Sequence, residues 1–233
     1  MRKSAIFLLF VAFCLTILGL SAQGGIADSP QTARTKTEAE GKQKPEDSKQ
    51  RPVAKSKVYL LHSDLLRKDA SHPDAQIVTG NVSFRHDSVY MYCDSACYYD
   101  KVSSFEAFGN VKMVQGDTLF LYGDRLYYDG LTQIAEMRCN VRMENRTTTL
   151  LTDSLNYDRV YNLGYFFDGG TLMDEQNVLT SEWGEYSPQT KQSVFNYNVK
   201  LVNPQFTLTS DTLRYNTASK IADIVGPSDI WSD

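Results

Sequence analysis

The sequence predicts an all-β protein of stacked strands, assembled from about five copies of a 29–30-residue repeat. Three observations carry that prediction. An anchor of Asp, spacer, small or aliphatic residue, spacer, Tyr recurs as Asp94-Ala96-Tyr98, Asp124-Leu126-Tyr128, Asp153-Leu155-Tyr157 and Asp211-Leu213-Tyr215, with Glu182-Gly184-Tyr186 as a weaker copy. Its tyrosines are 30, 29, 29 and 29 residues apart, and a fixed period of this size marks stacked supersecondary units. Within each copy apolar and polar side chains alternate with the strand period of two. From residue 58 onward no stretch sustains a helical period, and 14 tyrosines and 11 phenylalanines suit pleated sheet.

The chain opens on Met1-Arg2-Lys3 and a mostly apolar run from Ala5 to Leu20. That run is shorter than the roughly 20 residues of a membrane span. With the small residues Ser21-Ala22 after it, residues 1–22 read as a secretory signal peptide, with a retained N-terminal anchor as the alternative. Residues 23–57 hold eight Lys/Arg against five Asp/Glu and almost no large apolar residue, so a disordered polar linker is expected. Cleavage would leave Cys93, Cys97 and Cys139. Cys93 and Cys97, about 13 Å apart on one strand, cannot pair with each other, and small buried thiols are expected.

Residues 58–233 form the expected folded domain. A second anchor, Gly-Asn-Val or a relative, appears as Gly80-Asn81-Val82, Gly109-Asn110-Val111, Cys139-Asn140-Val141 and Tyr197-Asn198-Val199, with Gly169-Gly170-Thr171 as the degenerate copy. Counting from the Asn, position +1 is Val82, Val111, Val141, Thr171 and Val199. Position +3 is Phe84, Met113, Met143, Met173 and Leu201, and position −3 is Ala107, Met137, Phe167 and Phe195. These odd offsets share one strand face, while Glu106, Glu136, Lys112, Arg142 and Lys200 take the other. Counting from the acid of the first anchor, Met91, Leu121, Leu150, Leu179 and Leu208 lie at −3, and the aliphatic column with Leu126 and Leu155 lies at +2. The apolar parity therefore switches across the acid. A straight strand cannot do that, so a bend or bulge is expected at Cys93-Asp94, Gly123-Asp124, Thr152-Asp153, Ser181-Glu182 and Ser210-Asp211. Turns are expected at Gln115-Gly116, Asp129-Gly130, Asn156 to Asp158 and Asn203-Pro204. Residues 59–70 suit either a first strand or a short helical cap.

Charge and motifs narrow the function classes. Residues 58–233 carry fourteen Lys/Arg against twenty-three Asp/Glu, which argues against a nucleic-acid partner. No nucleophile elbow, phosphate loop or His-Glu-x-x-His motif occurs, so no enzyme is expected. His62, His72 and His86 lack a ligand constellation and are read as surface residues; no metal or cofactor is expected. The acid column is read as corner acids accepting backbone N–H groups in preference to a row of calcium sites. The Tyr column is read as cross-strand packing in preference to a carbohydrate platform. Asn145-Arg146-Thr147 matches a glycosylation sequon. The continuous apolar stripe has two readings, a filled structural core or a trough that holds lipid, and the unbranched side chains of Met91, Met113, Met137, Met143 and Met173 lean toward the trough.

The segments from Phe105 to Met113 and from Gly116 to Asp129, behind a signal and a polar linker, resemble the OstA-like domain family. This is the organic solvent tolerance and lipopolysaccharide transport superfamily of LptA, LptC and the periplasmic part of LptD. The resemblance covers roughly residues 58–233. It implies an antiparallel β-jellyroll, a β-taco, whose two sheets part in a V. It implies a periplasmic, non-enzymatic protein, membrane-associated where the leader is retained, that shields lipopolysaccharide acyl chains in the groove during outer-membrane assembly. It implies pairing of edge strands with other OstA-like proteins or with itself. Ile224 to Ile230 resembles the start of a further copy, so the C-terminal edge reads as an open edge for a partner or as the cut of a longer chain. The acidic balance departs from a groove built to attract phosphorylated lipid, so the inward columns, not basic residues, are the expected lipid contacts. A structural or adhesive β-repeat protein of the cell envelope with a filled core is the alternative.

Overall fold

A computed structural model describes residues 56–69 and 72–232. The expected signal peptide, and the expected linker up to residue 55, lie outside the described residues. Fifteen strands form one sheet. They are β1 (Tyr59–His62), β2 (Leu65–Asp69), β3 (His72–His86), β4 (Val89–Tyr99), β5 (Ser104–Gln115), β6 (Leu119–Asp129), β7 (Ile134–Asn145), β8 (Thr148–Asp158), β9 (Leu163–Phe166), β10 (Gly170–Asp174), β11 (Asn177–Ser181), β12 (Trp183–Tyr186), β13 (Gln192–Asn203), β14 (Phe206–Asn216) and β15 (Ile221–Trp231). Every pairing is antiparallel. The long strands are neighbours in sequence and in space, as hairpin connections dictate. The architecture is the expected β-jellyroll.

Each long strand crosses two walls and bends between them. The ladder of β3 on β4 skips from Thr79 to Val82 on one strand and from Ser95 to Cys93 on the other. The Asn strand therefore leaves two residues unpaired against one on the acid strand, a β-bulge. One unpaired residue inverts side-chain parity and two preserve it, which is why parity switches at the acid but not at the Asn. The bend needs two successive left-handed residues: Gly80 and Asn81 have φ of 79° and 48°, and Gly109 and Asn110 have 74° and 46°. A Cβ at Gly80 or Gly109 would also meet the carboxylate of Asp64 or Asp94, at 2.2 and 2.5 Å, so glycine is favoured there on two counts, while Cys139 and Tyr197 take the same left-handed position in later copies with φ of 64° and 66°.

Within the segment expected as a strand or a helical cap, Tyr59–His62 and Leu65–Asp69 are strands. β1 pairs with β3 in the first wall and β2 pairs with β3 in the second, so they are one more copy, broken at Asp64. The Asn156 to Asp158 turn is likewise displaced: β8 runs through Asp158, and the reversal falls at Arg159 to Asn162. The fifth copy is also split, into β9 and β10 and then β11 and β12, and here the degenerate anchor shifts by one residue. Leu172 pairs with both Leu150 and Leu179, so Gly169, with φ of 82°, occupies the Asn position.

The two walls face each other across a shared core. The Phe84 ring of the first wall stacks on Phe105 of the second at 4.2 Å between centroids. Inner rows run across the stack: Phe84, Met91, Met113, Leu121, Met143, Leu150, Leu172, Leu179, Leu201 and Leu208 in one wall, and Ala107, Leu126, Met137, Leu155, Phe166, Phe195 and Leu213 in the other. All are 3% exposed or less. Along β15 the rows lose their cover, and Ile230 is 61% exposed.

Candidate functional site

The candidate site is the interior between the walls together with the mouth where their free edges meet. Of the sequence-predicted contacts, Val82, Phe84, Met91, Val111, Met113, Leu121, Leu126, Met137, Val141, Met143, Leu150, Leu155 and Leu179 are buried between the walls. Phe167 and Met173 are not. Phe167 is 45% exposed, and Met173 is half-buried on the outer face. The cause is the one-residue shift at Gly169, which puts Phe166 and Leu172 inward in their place, because a slip of one residue inverts every side chain. Thr171 leaves the inner column for the same reason, and Gly170 replaces it. With inner rows 3% exposed or less, the closed trough is packed by its own side chains.

The outer seam of the fold explains the acid column. Four acids are bridged by the side-chain amide of the next Asn: Asn81 to Asp64 at 3.0 Å, Asn110 to Asp94 at 2.8 Å, Asn140 to Asp124 at 2.6 Å and Asn198 to Glu182 at 2.5 Å. The partner is mainly a side-chain amide, not the expected backbone N–H; only Asp153 accepts one, from Asn140. Asp153 has no amide bridge because its partner position is Gly169. Among the described residues no group of three His, Cys, Asp or Glu side chains could hold a metal.

The mouth is closed by a ladder of polar latches built on the tyrosine column. Four of the tyrosines reach from the second wall to the edge of the first, and Tyr157 holds Asn162, to which Gln115 crosses from the first wall. Tyr98 donates to the Val58 carbonyl at 2.7 Å. Tyr128 meets His86 Nδ1 at 2.6 Å. Tyr157 binds Asn162 at 3.2 Å, and Asn162 accepts from Gln115 at 2.8 Å. Tyr186 donates to Asn145 at 3.2 Å, which also accepts from Lys191. Tyr215 donates to Asp174 at 2.7 Å, and Lys220 donates to the other oxygen of that carboxylate. Burial raises the Tyr128 and Tyr157 hydroxyls to about 12, so both remain protonated donors. Ser56 and Lys57, assigned by the sequence to the linker, belong to the latches: Lys57 pairs with Asp100 at 2.8 Å in the first, and Ser56 donates to Asp87 beside the second.

Sequence reasoning missed these edge residues. His86, Gln115, Asn145 and Asp174 each lie at +5 from the corner Asn or from Gly169. The offset is odd, hence inward, and polar in every copy, and that was the available signal. His86 is therefore corrected from surface to core, since it is fully buried. Asn145 of the sequon is buried and engaged in its latch. The expectation of buried thiols holds for Cys93, which burial pushes up to about 12, whereas Cys139 is exposed. No disulfide joins the three.

The His86 latch has a defined protonation state. Arg159 has no acceptor and its Nη1 lies 3.0 Å from His86 Nδ1, so Nδ1 is the acceptor, Tyr128 donates to it, and the neutral ring carries its proton on Nε2. Burial, and then the Arg159 charge, lower the His86 pKa from its usual 6.5, with Asp87 opposing. The unfolded chain binds this proton more readily, so stability falls as pH drops below about 6.5. Thermal melts between pH 7.5 and 5.5 should show that loss. His86→Gln should remove that component, leaving carboxylate effects that begin near pH 4.

The OstA-like protein family matches residues 55–211. No curated protein matches the chain. Among solved structures the chain is similar to LptH of Pseudomonas aeruginosa, the LptA-homologous periplasmic component of its lipopolysaccharide transport device. That likeness has a TM-score of 0.44 and 13% identity, and covers 48% of this chain and 93% of the other. Among the described residues no helix is long and apolar enough to cross a membrane.

Proposed function

The chain belongs to the OstA-like protein family, and on that premise we propose that it binds lipopolysaccharide in the periplasm and shields the acyl chains between its two walls during outer-membrane assembly. The observation that carries this reading is the uninterrupted apolar interior, whose rows cross the strands from one end of the stack to the other. Burying an acyl chain yields about 0.8 kcal/mol per CH₂, so a dozen carbons bring roughly 10 kcal/mol. That is enough to hold a lipid out of water and to replace the contact between one wall and the other. No bond is made or broken, and directed movement draws on partners. The exposed apolar residues of β15 support strand addition there, by a following segment or another OstA-like protein.

A second reading, a structural β-repeat with a permanently filled core, draws on the near-complete burial of the inner rows. Native mass spectrometry of the chain, purified without detergent and offered lipopolysaccharide, separates the two. The transport reading expects an adduct of one lipid mass. A folded chain that stays bare under lipid excess would select the structural reading.

A further inference from the structure

We propose that the mouth is a lateral gate that parts first at the level of β8 to β11, where both the latch and the hinge opposite it are weakest. The inference rests on the reading that lipid lies between the walls. When an acyl chain enters, each wall exchanges apolar contact with the other wall for apolar contact with lipid, and the hydrophobic terms largely cancel. The acyl chain offers nothing to the latches. The latches and the seam therefore decide where the walls separate.

The latches are not equal. Tyr128 is held in a group with Arg159, His86 and Asp87, and the Arg159 side chain is 7% exposed. Tyr215 is held on the buried Asp174–Lys220 ion pair. Tyr186 shares Asn145 with the ammonium of Lys191. Tyr157 alone among these four closes on a fully neutral pair, Gln115 and Asn162. Hydrogen bonds with an ionised member are about twice as strong as neutral ones, so the Tyr157 rung yields before its neighbours.

The hinge agrees independently. β8, which carries Tyr157, also carries Asp153, the acid whose bridging Asn is replaced by Gly169. The next strands break at this corner, into β9 and β10 and into β11 and β12, whereas β7 and β13 run unbroken through theirs. A single side-chain bond, from the Thr152 hydroxyl to the Gly169 carbonyl at 2.7 Å, stands where the corners of Asp64, Asp94, Asp124 and Glu182 carry an Asn–acid bridge. Weak latch and weak seam fall on the same rung.

Thiol labelling tests this in a chain whose Cys14, Cys93, Cys97 and Cys139 are replaced by Ala. Single cysteines enter the inner row of the second wall at Leu126, Leu155 and Leu213, behind the Tyr128, Tyr157 and Tyr215 rungs. The gate predicts that Leu155→Cys reacts with a small maleimide at least tenfold faster than the other two. It also predicts that Gln115→Glu with Asn162→Lys, which makes the middle rung ionic, removes that excess. Equal rates at all three sites would mean that the interior is exposed only by global unfolding, and would overturn the proposal even if the double variant fails to fold. A parallel arm measures uptake of lipopolysaccharide. If no variant takes up lipid while the labelling pattern holds, the transport reading fails and the gate stands. If lipid is taken up but labelling is uniform, the gate fails and transport stands.

Discussion

Lys220→Met is expected to destabilise the folded chain by about 3 kcal/mol, among the largest effects of any single polar substitution in it. Asp174 is fully buried and its carboxylate is held by Lys220 and Tyr215. Removing the ammonium leaves a carboxylate with one hydroxyl donor and Asn177 nearby on Tyr215. Loss of one partner from a buried pair typically costs about 3–5 kcal/mol, and the partial exposure of Lys220 places this case at the low end. Replacing both members, Lys220→Met with Asp174→Leu, should recover most of that stability, because the charge and its desolvation vanish together. Urea denaturation of the three variants checks this. A double variant as unstable as the single one would show that the pair stabilises the mouth by more than mutual neutralisation.

The second large effect is set by strand parity. Leu121 points between the walls and is fully buried, whereas its neighbour Tyr122 lies on the outer face with Arg142 over its ring at 4.3 Å. Leu121→Asp places a carboxyl in the core with no donor. Keeping the group neutral at pH 7 costs about 4 kcal/mol, roughly 1.36 kcal/mol for each of the roughly three units between the free carboxyl pKa and pH 7, and the lost leucine packing adds about 2–5 kcal/mol. Domains of this kind are stable by about 5–15 kcal/mol in total, so little or no folded protein should remain. Tyr122→Asp should fold, with the loss confined to an outer cation–π contact of about 1 kcal/mol. Circular dichroism melts of the two variants read the difference. Similar stability in both would contradict the assigned faces.

Most of the fold was legible because the repeat writes one physical constraint many times. Period-two alternation fixed which side chains face inward, and the parity switch at each acid located the bend. The structure adds the mechanism: two unpaired residues on one strand against one on the next. Phe167 and Met173 were misplaced because the fifth copy has no Asn. Two glycines in succession, Gly169 and Gly170, left the origin ambiguous by one residue, and one residue inverts the face. The latches were missed for another reason. His86, Gln115, Asn145 and Asp174 are chemically unlike one another, so no single residue type marks the column. Their partners at the opposite edge lie 41 to 73 residues away, and only the folded sheet brings the two edges together. The tyrosines were read as packing. They do pack, and each also ends in a hydroxyl that holds one of the groups closing the mouth.

The measurement that bears most directly on the account is the lipid adduct itself, with its place on the chain. The full chain carrying p-benzoylphenylalanine at Phe195, on the inner face, or at Phe120, on the outer face, is irradiated with bound lipopolysaccharide and weighed. The account predicts a covalent lipid adduct from position 195 and none from 120. Adducts from 120 alone, or a folded chain that binds lipid without reacting at 195, would place the lipid outside the walls and contradict it.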